Sequence, residues 1–202
     1  MISLNVSNLK THKVLNTKNS IIDMAKQTIT MESQAISNLS NLIDNNFADA
    51  VELLYNSKGR VIITGIGKSA IIATKIVATM NSTGTPAVFM HAADAIHGDL
   101  GLILEDDIVI CISKSGNTPE IKVLVPLIKN AGNKMIAITG NKDSFLGQQA
   151  DYVLNSFVEK EACPNNLAPT TSTTAQLVIG DALAVSLLRL KEFTSIDFAK
   201  YQ

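Results

Sequence analysis

The stretch Ser113-Lys114-Ser115-Gly116-Asn117-Thr118-Pro119-Glu120 gathers three hydroxyls, a glycine and a carboxylate. It follows the apolar run Val109-Ile110-Cys111-Ile112, which reads as a strand covered on both faces. Gly116 lets the backbone turn with its N–H groups free. Thr118 suits an N-cap, and Pro119 then occupies the first helical position, where its missing N–H costs nothing. A helix start with loose N–H groups and nearby hydroxyls suits an anion, and a phosphate best of all. The bland alternative is an ordinary capped turn between strand and helix. Thr170-Thr171-Ser172-Thr173-Thr174 is a second hydroxyl cluster before an apolar helix, and five hydroxyls exceed what one N-cap requires.

Gly65-Ile66-Gly67-Lys68-Ser69 is a glycine turn after a strand. It lacks the third glycine of a dinucleotide fingerprint, because Ala70 stands there, and it lacks the spacing of a Walker loop. Nucleotide hydrolysis is therefore not expected. Lys68 is either a solvent lysine on a tight turn or an ammonium aimed into the crevice at the strand ends. His91 and His97 flank a segment containing Asp94 and Asp99, with no recognised zinc spacing and no HExxH. His97, beside Gly98-Asp99 after a strand, is the better candidate for chemistry, since an imidazole suits proton transfer. Glu120, in a first helical turn, either complements the helix dipole or faces a ligand. Glu161, in a loop, is either solvated or functional.

Together these residues describe a site for a small phosphorylated polyol held by neutral donors. Moving a proton between adjacent sugar carbons needs a carboxylate base, a proton shuttle between oxygens and help with ring opening. It needs no organic cofactor, and no metal site is expected.

The elements that must position these residues alternate. An amphipathic helix runs from Asn19 to about Asn45, with Ile22, Ile29, Ile36 and Ile43 at seven-residue intervals. Its stripe could face its own domain, a neighbouring subunit or both. A second helix spans about Phe47 to Ser57. Strands follow at Arg60–Thr64, Ala87–Met90, Ile108–Ser113, Met135–Thr139 and Tyr152–Leu154, separated by helices near Ala70–Asn81, Pro119–Asn130 and Ser144–Ala150. A very apolar helix from Thr171 to about Lys191 reads as buried nearly all round, and a last turn covers Ser195–Tyr201. This order predicts an α/β, three-layer αβα sandwich with a five-stranded parallel sheet, doubly wound, and a ligand beyond the carboxyl ends of the strands. Residues 1–18 read as a loose arm and 19–202 as one domain.

The 202 residues suffice for one such domain. A net charge of −1 gives no global pull toward nucleic acid or an anionic membrane. Aromatic residues are 4% with no Trp, which disfavours base stacking. Two cysteines, Cys111 and Cys163, form no disulfide framework, so a reduced, cytoplasmic setting is expected. No apolar run of membrane-spanning length is expected.

The segments Gly65–Ser69, Thr83-Gly84-Thr85-Pro86, His97-Gly98-Asp99-Leu100-Gly101, Ser113–Glu120, Glu161-Ala162-Cys163-Pro164, Leu167-Ala168-Pro169-Thr170, Thr171–Thr174 and Gly180-Asp181-Ala182-Leu183-Ala184 resemble those of D-arabinose-5-phosphate isomerases, within the sugar isomerase (SIS) domain superfamily. The resemblance covers about residue 20 to the end. It implies interconversion of D-arabinose 5-phosphate and D-ribulose 5-phosphate, feeding Kdo for lipopolysaccharide or capsule. It also implies a homotetramer with sites at subunit interfaces. It places catalytic roles on Lys68, His97, Glu120 and Glu161. Substrate contacts are expected at Gly67, Ser69, His91, Ser113, Ser115, Gly116, Thr118, Ser172, Thr173 and Thr174, with Ser69, Ser113, Ser115, Thr118 and Ser172–Thr174 on the phosphate. Of the carboxylates, Glu161 is the first candidate for the base and Glu120 the alternative. Family members commonly continue into paired CBS modules, whereas this chain stops at Gln202, where the family pattern has a histidine. A single-domain form is thus expected, with feedback by CMP-Kdo in the same crevice as a further expectation. A non-catalytic phosphosugar-binding module and another phosphosugar isomerase are the alternatives.

Overall fold

The computed structural model describes residues 17–199. The expected loose arm lies, up to residue 16, outside the described residues, and so does Gln202. Helix α1 (Lys18–Leu39) runs through a 3-10 turn into α2 (Asn45–Asn56). The alternation is then β1 (Val61–Gly65), α3 (Lys68–Ser82), β2 (Ala87–His91), a short α4 (Ala92–Ala95), a 3-10 turn, and β3 (Ile108–Ile112). It continues through α5 (Pro119–Asn130), β4 (Met135–Thr139), α6 (Phe145–Gln149), β5 (Tyr152–Asn155), α7 (Thr171–Leu190) and α8 (Ser195–Phe198). The expected elements are present, and most boundaries agree within two residues.

All five strands are parallel, in the order β2-β1-β3-β4-β5. The order reverses between β1 and β3, and a crevice opens at such a switch point. Alternate strand residues feed two cores, as the two-residue strand period requires. Ile63, Ile110, Ile112, Ile136 and Leu154 pack under α1, α2, α3 and α7. Ile62, Val109, Cys111, Met135 and Ala137 pack under α4, α5 and α6. The central isoleucines are fully buried, each stabilising the fold by about 1.5–3 kcal/mol. Burial pushes the Cys111 thiol up to about 12, so it is an inert core residue.

Helix α7 departs from the expectation of burial all round. Ala175, Ile179, Leu183, Ala184 and Leu187 enter the core, whereas Val185 and Leu190 are exposed. Its apolar residues outnumber those its buried face can use, so hydropathy alone overstates its burial. It is long and apolar enough to cross a membrane by length and composition, contrary to the sequence reading. Its buried face packs beside α3: a Cβ on Gly180 would fall inside Ile76. Helix α1 also divides. Its second half joins the core through Ala35 and Leu39. In the first half Ile21, Ile22, Met24 and Ile29 are exposed, so the heptad stripe there finds no cover among the described residues, whereas Ile36 further on is half-buried.

Candidate functional site

Gly65 of β1 lies in register with Ile112 of β3. The turns leaving these strands therefore emerge side by side at the switch point. Between them and the start of α7 lies a cavity of about 280 Å3. It is lined by Ile66, Lys68, Ser69, Ile112, Ser113, Lys114, Ser115, Thr118, Pro169, Ser172, Thr173 and Gln176. Three helix starts converge here. α3 follows Gly67 and α5 follows Thr118, and neither has a side-chain cap. Their first-turn N–H groups are thus left without side-chain acceptors, which suits an anion. Thr118 occupies the N-cap position, as read from the sequence, but its hydroxyl makes no capping bond. Its Oγ1 is buried and unpartnered among the described residues.

The Ser113–Thr118 turn is held rigidly. Gly116 donates its N–H to Ser113 Oγ (3.1 Å), its carbonyl accepts from Leu146 N (3.0 Å), and Asn117 Oδ1 accepts from Phe145 N (3.0 Å). Gly116 has φ +63°, and a Cβ there would fall inside the Ser144 side chain. Glycine is required both for the conformation and for the close approach.

The Thr170–Thr174 cluster divides its work. The Thr170 and Thr171 hydroxyls each accept from Ala162 N at 3.0 Å. Ser172 and Thr173 line the cavity. Thr174 Oγ1 turns away, to Glu32 of α1 (3.2 Å) and the Thr170 carbonyl (3.1 Å).

Glu161 is buried beneath this helix start. Its Oε2 accepts from the N–H groups of Thr170 (2.8 Å) and Ser172 (3.1 Å) and from Thr170 Oγ1 (3.2 Å), so it caps α7 from the loop that leads into it. Its Oε1 accepts from Ser172 Oγ (2.5 Å) and Lys114 Nζ (2.6 Å). Burial alone would raise its pKa. The bonds from Lys114, Ser172 and the two backbone N–H groups outweigh burial and hold it at about 2.

Of the residues singled out in the sequence, Lys68, Ser69, Ser113, Ser115, Thr118, Ser172 and Thr173 come together around the cavity. Gly67 and Gly116 shape its turns. Glu120 is half-buried in the first turn of α5, and its carboxylate has no hydrogen bond or ion pair among the described residues. His91 ends β2 beside Gly65, its Nδ1 3.6 Å from Asp94. His97 is exposed, beyond α4. Lys114 and Gln176 join the cavity without having been singled out in the sequence. Lys114 looked like a spacer between two serines. Gln176 had a signal: it is an amide in an apolar helix, three and four residues beyond Thr173 and Ser172, hence on their face.

A larger cleft, about 680 Å3, lies at the amino-terminal ends of the strands, opposite the switch-point cavity. Asp49, Glu52, Glu105, Asp106 and Asp107 outnumber Lys58 and Lys134 in its lining, which makes it a poor anion site. Among the described residues no group of three His, Cys, Asp or Glu side chains could hold a metal.

Fold and cavity define a doubly wound α/β protein with a phosphate-type crevice at its switch point. The SIS domain model matches residues 53–186, and the chain belongs to the SIS domain family. It is 50% identical over 178 residues to the arabinose 5-phosphate isomerase KdsD of Pseudomonas aeruginosa, covering 88% of this chain and 55% of that protein. It is 49% identical over 182 residues to the arabinose 5-phosphate isomerase KpsF of an Escherichia coli strain, covering 90% and 56%. The chain thus spans little more than half the length of these curated relatives. Among solved structures, the E. coli CFT073 protein c3406 in complex with arabinose 5-phosphate superposes with a TM-score of 0.89 at 40% identity, covering 92% of this chain and 98% of that one.

Proposed function

We propose that this chain is an aldose–ketose isomerase interconverting D-arabinose 5-phosphate and D-ribulose 5-phosphate through a cis-enediol. The observation that carries the reading is the switch-point cavity, where hydroxyls and two uncapped helix starts surround Lys68. The likeness to the sugar-phosphate-bound E. coli protein and to named arabinose 5-phosphate isomerases selects the sugar. In this reading Ser113, Ser115 and Thr118, whose hydroxyl protons are uncommitted, hold the phosphate with neutral donors, while Ser172 and Thr173, whose hydroxyls donate to Glu161 and to the Thr170 carbonyl, form the wall beside it. Lys68 stabilises the enediolate oxygen.

The two carboxylates receive different work. Glu161, saturated with donors and held at about 2, is too weak a base to remove a carbon-bound proton well. We assign it to positioning Lys114, Ser172 and the start of α7. Glu120 is the carboxylate left to move the proton between C2 and C1. His97 assists ring opening or oxygen-to-oxygen transfer. Because it is exposed, we place it at the cavity of a neighbouring subunit in a homotetramer, with the uncovered α1 stripe as part of the contact.

The product would feed Kdo synthesis for lipopolysaccharide or capsule. We place the protein in the cytoplasm on the two unpaired thiols, Cys111 and Cys163. Feedback by CMP-Kdo in the same crevice is read by adding it to the assay, and unchanged activity overturns it.

One observation favours a second reading, a phosphosugar-binding module without turnover: Lys68 and Lys114 are the titratable side chains in the cavity lining. Incubation with ribulose 5-phosphate in heavy water separates the two. Isomerisation with deuterium at C2 of the aldose supports the enzyme; binding without exchange supports the module. In the enzyme, Glu120→Gln is expected to lower kcat at least a hundredfold. Lys68→Met should lower kcat while leaving the unfolding temperature within about 2 °C, because Lys68 is exposed.

A further inference from the structure

Gln176 is 1% exposed and lines the cavity, on the face of α7 that carries Ser172 and Thr173. Its Oε1 accepts from Ser69 Oγ of α3 at 3.1 Å. Its Nε2 has no hydrogen-bond partner among the described residues. A buried amide donor without a partner destabilises the fold unless a ligand uses it. Ser69 has committed its only proton to Gln176, so toward the cavity its oxygen can only accept. The pair therefore presents one acceptor and one donor side by side. Turning the amide over exchanges the roles, since Nε2 would donate to Ser69, Ser69 would donate to the ligand and Oε1 would accept. A donor–acceptor pair persists in either sense.

A phosphate dianion accepts only, so beside it one half of this pair would be repulsive. A sugar hydroxyl both donates and accepts, and it satisfies both halves. We propose that Ser69 and Gln176 together read one hydroxyl of the sugar chain, which makes Gln176 a specificity-determining residue of the cavity. The proposal rests on the phosphosugar reading above and adds to it a division of the cavity. The Ser113–Thr118 turn serves the phosphate, and the bridge between α3 and α7 serves the polyol.

The test compares two ligands on the full chain by calorimetry, D-arabinose 5-phosphate and inorganic phosphate, with Gln176→Met as the variant. Arabinose 5-phosphate should bind about tenfold more weakly, the worth of one hydrogen bond to a buried group, while inorganic phosphate stays within twofold. In a panel of singly deoxygenated arabinose 5-phosphates, one analogue should bind wild type about tenfold more weakly than the parent sugar. That analogue should lose nothing further against Gln176→Met. Equal weakening of both ligands would mean that Gln176 acts on the phosphate or on the turn, and overturns the proposal. Unchanged binding of both also overturns it. Where Gln176→Met does not fold, Gln176→Asn, an amide one methylene shorter, carries the same comparison with the same outcomes. Failure of the phosphosugar reading looks different, because the unmutated protein would then bind no sugar phosphate.

Discussion

Glu161 gives the most demanding test of the site's electrostatics. It is an inward-facing carboxylate whose side chain is fully buried, yet it stays ionised because five hydrogen bonds converge on it. Its folded pKa of about 2 lies below the ordinary 4.5. A group depressed in this way stabilises the fold above the unfolded value, and that stability is lost as pH falls toward the folded value. At about 1.4 kcal/mol per pH unit, the gap corresponds to about 3 kcal/mol. Glu161→Gln keeps the shape but replaces one oxygen by a donor. If the NH2 faces Lys114 it meets an ammonium, and if it faces Thr170 and Ser172 it meets two backbone N–H groups. Either way donors are orphaned, at about 1–3 kcal/mol. The assay is urea unfolding of both proteins from pH 7 to pH 3. Wild type should be more stable by about 2–4 kcal/mol at pH 7, and the gap should close steadily below about pH 4.5. Asp107, also held below the usual carboxylate range despite burial, is common to both proteins, so only the difference between the curves is read. A gap that stays constant with pH would refute the account of Glu161 as a buried, donor-saturated carboxylate.

Two further outcomes follow from local geometry. Gly116→Ala should cost about 2 kcal/mol or more, because φ +63° strains an L residue and the new Cβ meets Ser144. Thermal unfolding measures the cost, and phosphate affinity should fall with it as the turn shifts. Asn133→Ala should cost about 1–3 kcal/mol, because its amide donates to the carbonyls of Leu104 (2.8 Å) and Asp107 (2.9 Å); Leu104 would keep the Asp107 N–H (3.1 Å), but both carbonyls would lose the amide donor. Chemical denaturation should show a lower midpoint with an unchanged slope.

Much of the architecture was legible in the chain. The run Ile108–Ile112 and its counterparts are short, β-branched and flanked by turn residues, so strand, direction and burial could be read together. The same holds for Pro119 at its helix start, where a fixed φ and a missing N–H leave little choice. Lys68, Ser69 and the Ser113–Thr118 hydroxyls were legible as a group because each follows a strand, and strand ends in a parallel sheet share one edge. Exposure of the first half of α1 was not legible, since an apolar stripe states what a helix could bury and not what covers it.

The sequence by itself determined the strands and helices, the glycine turns and the hydroxyl-rich helix starts, because dihedral preference, periodicity and capping act within a few residues. Only the tertiary structure decided what each polar group is paired with. It turned Thr174 toward Glu32, joined Ser69 to Gln176 across 107 positions, and set five donors around Glu161. Those pairings depend on which helix starts meet at the β1–β3 switch point. Since a carboxylate's pKa follows its donors and its burial, the chemistry available to Glu161 is a property of that meeting.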